Sequence, residues 1–65
     1  MFIYQKNKLI IKDLKKIILL KDDQIIIKTK DQNIIIKGKS LTLGYFECNE
    51  VHILGLIKEI FINEI

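Results

Sequence analysis

The chain has no proline, tryptophan, alanine or arginine, and its 65 residues hold only one cysteine, one histidine and three glycines. Each scarcity removes a class of protein. Cys48 has no second cysteine to bridge to, and no Cys/His cluster offers a structural metal site. A single unpaired thiol suits a reducing cytosol. Without arginine, the bidentate fork that recognises phosphates and base edges is missing, and lysine supplies only a point charge. The longest apolar runs are four residues, far below the roughly 18 of a membrane helix. The opening "MFIYQKNK" turns polar after four positions, short of the about 7–15 apolar residues of a signal peptide.

What is abundant is isoleucine, at sixteen positions. β-branched side chains lose rotamer freedom in helices and fit the pleated surface of a sheet, so the chain is expected to be all-β. Its length allows one domain at most, residues 1–65. A domain of this size buries only about 60% of its unfolded surface and is marginal alone. With disulfides and metals excluded, association with another chain is the usual remedy. All eleven basic residues are lysine; ten lie in residues 1–39 against four Asp, a net +6, whereas residues 40–65 hold Lys58 against four Glu, a net −3. Opposite charge on the two parts steers self-association or a partner. The plainer reading is solvated lysine that decorates strand faces and blunts edges.

Strand-like segments recur at "KLIIK" (8–12), "KIILLK" (16–21), "QIIIK" (24–28), "NIIIK" (33–37), "SLTLGYF" (40–46) and "EVHILGLIKEIFI" (50–62), with "FIY" (2–4) as a weak edge strand. The last long segment reads as one strand or as two meeting at Gly55. "KDDQIIIK" returns as "KDQNIIIK" nine residues later. Two copies make a hairpin closed by a polar turn at 30–33, where Asp31 and Asn33 tolerate positive φ; a β-solenoid needs three or more. Two stretches have helical rivals: "DLKKIILL", capped by Asp13, and 56–65, where Ile57, Ile60, Phe61 and Ile65 share a helical face. Near-alternation and Gly55 favour strand in the second. The fold expected is a small antiparallel meander of about six to seven short strands, curled as a sandwich or partly open barrel. The isoleucine triplets place apolar side chains on both faces, Ile26 opposite Ile25 and Ile27, and Ile35 opposite Ile34 and Ile36, so both faces need covering.

No catalytic constellation assembles from these residues. His52 lies within a strand and reads as a structural histidine. Cys48 sits among Glu47 and Glu50, not in the electropositive surroundings that activate a thiol. Asp22 and Asp23 read as a solvated turn, because a divalent ion needs further oxygen ligands in a fixed cage. Gly38, Gly44 and Gly55 are too dispersed to cradle a phosphate; Gly38 reads as a turn residue, and Gly44 and Gly55 as bulges or close backbone approaches. The lysine surplus leaves an Sm-like or OB-like RNA-binding protein as the alternative, but Phe2, Tyr4, Tyr45, Phe46 and Phe61 are scattered and do not form a stacking platform among the lysines. Nucleic acid is therefore the less favoured partner.

"IIIKGKSLTL" at 34–43 and "NEVHILGLIKEIFI" at 49–62 resemble the YabP/YqfC family of bacterial sporulation proteins. The matching positions are Ile36, Gly38, Leu41, Leu43, Val51, Ile53, Gly55, Ile57, Ile60 and Phe61, and the similar region covers about 8–63. The chain departs from the family near 12–16 and carries Asn33 where members have a turn glycine. The resemblance implies a non-enzymatic protein with no catalytic residue, metal or cofactor. It also implies a role in spore-envelope (cortex and coat) formation, in the mother-cell cytoplasm and peripheral to the membrane. Partners would be further copies in a homo-oligomer or a membrane protein. Gly38, Leu41, Gly55 and Ile57 are its motif residues.

Overall fold

The computed structural model describes residues 2–5 and 7–64, with only the backbone described for residues 2, 3 and 5. These residues form six strands and no helix: β1 (Phe2–Gln5), β2 (Lys8–Ile11), β3 (Leu14–Leu20), β4 (Gln24–Thr29), β5 (Gln32–Glu47) and β6 (Glu50–Glu64). They make one open sheet in the order β1-β2-β6-β5-β4-β3, antiparallel throughout. The all-β expectation holds, and both helical alternatives give way to strands, β3 and the distal part of β6; Ile65 lies outside the described residues. From β3 to β6 the chain is a meander, and the β1–β2 hairpin adds to the other side of β6.

Two expected boundaries are bends. "GKS" at 38–40 is not a turn between two strands but lies inside β5, and Gly55 lies inside β6. The turn at 30–33 is also tighter than expected. Asn33 is a ladder residue opposite Lys28, and Lys30 and Asp31 alone separate β4 from β5. Thr29 donates its hydroxyl to the Gln32 carbonyl at 3.3 Å across that turn.

Length alone requires the bends. A straight strand of sixteen residues would span about 50 Å, yet the longest dimension of the molecule is 26 Å. Past the bend each long strand changes neighbours. Residues Asn33–Lys37 of β5 lie between β4 and the distal part of β6, whereas Val51–Leu54 of β6 lie between β2 and the distal part of β5. The sheet thus doubles over into two layers, one of β3, β4, the start of β5 and the end of β6, the other of β1, β2, the start of β6 and the end of β5. The two-residue link at Lys12–Asp13 joins the layers, and the Leu14 amide donates to the Asn49 carbonyl at 3.1 Å to hold them together.

The core fills the space between the layers. Ile25, Ile27, Ile34 and Ile36 come from one layer and Leu9, Ile11, Val51 and Ile53 from the other, with Leu14 and Leu41 completing a single cluster. Alternation along each strand selects these residues. The accessible surface, 4359 Å², is close to the about 4,300 Å² expected for a compact monomer of this mass. One chain therefore closes its own core, and the doubling of one open sheet on itself hides one of the two apolar faces of its Ile-rich strands.

Candidate interaction surface

The bend brings the four motif residues together. Gly38 pairs with Ile57 at the crossing of β5 and β6, and Leu41 is buried beside it. A Cβ at Gly38 would fall inside the envelope of the Leu56 carbonyl oxygen. Gly55, at φ 128°, would place its Cβ 2.5 Å from the Ser40 carbonyl oxygen. The β3–β4 turn clamps the corner: the Asp23 carbonyl accepts from the Gly38 amide at 3.1 Å and the Asp22 carbonyl from the Leu41 amide at 2.8 Å. Asp22 and Asp23 contribute main-chain oxygens while their side chains stay exposed. This quartet shapes the sheet.

The side chains with chemistry gather at the other end of the β5–β6 hairpin. Cys48 and Asn49 form a two-residue turn between Glu47 and Glu50, with φ of 53° and 62°, the pattern of a type I′ turn. Glu50 and His52, two apart on one strand, share a face, and their Oε2 and Nε2 atoms are 2.6 Å apart. Tyr45 stands opposite His52 with ring centroids 4.6 Å apart and planes tilted by 38°. Desolvation, then the negative charges of Glu47 and Glu50, raise the Tyr45 phenol above its ordinary value, which holds it neutral and away from nucleophilic chemistry. Cys48 is exposed. Among the described residues no three His, Cys, Asp or Glu side chains are placed to hold a metal ion. The i, i+2 spacing of Glu50 and His52 was legible in the sequence; the Tyr45 partnership needed the hairpin register.

An open cleft of about 420 Å³ lies between the β2–β3 link and the β4–β5 turn, lined by Lys12, Lys15 and Lys30 together with Asp13, Asp31 and Thr29. No aromatic residue lines it.

The feature that fits a macromolecular partner is the outer face of the β4 layer. Leu19, Ile26, Ile35 and Phe61 occupy one cross-strand row over four strands. The first three are half-buried and Phe61 is 43% exposed. Polar rows flank it: Lys16, Lys28, Asn33 and Asn63 on one side, Gln24, Lys37 and Glu59 on the other. The Lys37 ammonium stands 5.6 Å from the Phe61 ring centroid, a cation–π distance. The Asn33 side-chain oxygen in the flanking row is buried and has no hydrogen-bond partner among the described residues.

This row runs out at a free strand edge. β2 pairs only with Val51–Leu54 of β6, so the distal part of β6 has β5 as its one ladder partner among the described residues. Exposed Leu56, Phe61 and Ile62 lie along it. No helix among the described residues is long and apolar enough to cross a membrane. No family model matches the chain, and no curated protein matches it.

Proposed function

We propose that the protein is a non-enzymatic β module that acts by association, in the building of the spore envelope, docking to further copies of itself or to a membrane-protein partner from the mother-cell cytoplasm. The observation that carries the association is the apolar row Leu19–Ile26–Ile35–Phe61 ending at an unpaired strand edge. A sheet edge offers backbone donors and acceptors to a second strand, and an apolar row beside it supplies the side-chain contact. The setting rests on the resemblance of 34–43 and 49–62 to the YabP/YqfC family. The test is deletion of the gene in the spore-forming host that the resemblance implies. The expected result is a fall in heat-resistant spores with cortex or coat defects, reversed by the wild-type gene. Unchanged spores, or a host that forms none, contradict it.

A second reading, RNA binding, is favoured by one observation, the cleft lined by Lys12, Lys15 and Lys30. Phosphate contacts of that kind weaken steeply with salt. Titration of single-stranded RNA at low and physiological salt separates the readings. Binding that survives physiological salt and falls on substitution of these lysines favours RNA.

A further inference from the structure

The free edge of β6 differs from the other edges of the sheet. β3 is interrupted by two register shifts, between Leu14 and Lys16 and between Ile17 and Leu19, and bulges of this kind blunt an edge. β1 is four residues long. The distal part of β5 is broken by shifts between Lys39 and Thr42 and between Leu43 and Tyr45. In contrast, Glu59–Glu64 pair with Lys37–Gln32 without a shift, the break at Lys58, which has no partner on β5, lying just before them. A regular, partly apolar edge with no proline is a template for another strand.

We infer that this edge pairs with the same edge of a second copy, antiparallel about a two-fold axis at Phe61. This deepens the association reading above and rests on it. Antiparallel pairing about a two-fold axis keeps both outer faces on the same side, so partnered residues must have equal parity. Centring the axis on Glu59 sets two carboxylates against each other. Centring on Ile60 opposes Glu59 to Phe61; centring on Ile62 opposes Ile60 to Glu64. Centring on Phe61 opposes Ile60 to Ile62 twice, Glu59 to Asn63 twice and Phe61 to itself. That register alone sets apolar against apolar at Ile60, Phe61 and Ile62, the cross-strand pairing that stabilises a sheet. It also joins the two outer rows through Phe61, continuing Leu19–Ile26–Ile35–Phe61 into its copy, and covers the exposed Ile62 and Phe61.

The test uses the full chain with Cys48→Ser. On mild oxidation Phe61→Cys is expected to link into a covalent dimer, because directly opposed residues in an antiparallel pair have α-carbons about 4.5–5.5 Å apart, within disulfide reach. Asn63→Cys, which faces Glu59 of the copy, is expected not to link. In sedimentation, Ile62→Asp is expected to weaken the dimer about fivefold or more, since it sets a buried-side carboxylate against Ile60 of the copy at two places. Circular dichroism on each variant checks the fold. Oligomers that form but ignore these changes overturn the β6 edge while leaving the association reading standing on another surface. A wild-type chain that stays monomeric at every concentration overturns self-pairing and leaves the membrane-protein partner as the remaining form of that reading.

Discussion

Gly55 and Ser40 meet at the corner where the doubled sheet bends: the Ser40 carbonyl oxygen would lie 2.5 Å from a Cβ on Gly55, whose φ is 128°. Both facts demand glycine, because an L side chain rarely takes that φ and this neighbour is backbone that cannot swing aside. Gly55→Val is expected to cost about 3 kcal/mol or more. A 65-residue domain has only about 3–10 kcal/mol to lose. Urea unfolding checks this, and an unchanged midpoint would contradict the corner geometry.

Gly44 provides the contrast. A Cβ there would also come within 2.5 Å of an atom, but that atom is Cδ1 of Leu54, the end of an exposed side chain. Gly44→Ala is expected to cost less than about 1 kcal/mol, because a rotamer change relieves the contact. The ranking of the two variants in one urea series separates backbone crowding from side-chain crowding.

Cys48 sits at the first central position of the β5–β6 turn with φ 53°, where asparagine and glycine are preferred over cysteine. Cys48→Asn combined with Asn49→Gly is expected to raise stability by about 1 kcal/mol. Thermal unfolding of the reduced protein checks it, and a loss of stability would contradict the turn assignment.

Neighbouring isoleucines on β5 should behave oppositely. Ile36 is fully buried, and Ile36→Ala is expected to cost about 2–5 kcal/mol. Ile35 lies in the outer row, so Ile35→Thr is expected to change stability little and to reduce association. Unfolding curves and solution mass, measured on the same two variants, distinguish the inner face from the outer one.

Tyr45 gives a pH signature. Its phenol is raised, chiefly by desolvation and then by Glu47 and Glu50, so the unfolded chain releases that proton first as pH rises. Stability from this group is complete below the ordinary tyrosine value of about 10 and falls as pH rises from there through the raised folded value. The phenolate absorbance of wild type minus Tyr45→Phe should titrate above that ordinary value, and titration at or below it would contradict the local electrostatics.

Much of this architecture was legible. The isoleucine alternation separates Ile25, Ile27, Ile34 and Ile36 from Ile26 and Ile35, and the apolar segments mark β2 and β4 to within one residue, while β3 starts two residues before its apolar run. The bends were not legible as bends. Gly38-Lys39-Ser40 and Gly55 carry the same local signal whether the chain turns back or continues at an angle. What separates the two cases is the pairing of Gly38 with Ile57 and of Lys39 with Leu56, contacts remote in sequence. The placement of β2 beside β6, and not beside β3, is likewise decided by long-range pairing that no local pattern encodes. His52 lies in a strand as its apolar setting indicates, but its approach to Tyr45 depends on the register of a hairpin with a shift at Leu43–Tyr45.

A chain able to close its own core is expected still to pair with a second copy of itself through apolar sheet surface. The most direct test of this pairing is the molar mass of the reduced wild-type protein by light scattering, across concentration and at low and high salt. A mass rising from the 7.7 kDa of one chain toward twice that value is expected at both salts, because apolar and backbone contacts dominate over screened charge. A mass that stays at one chain throughout would contradict it.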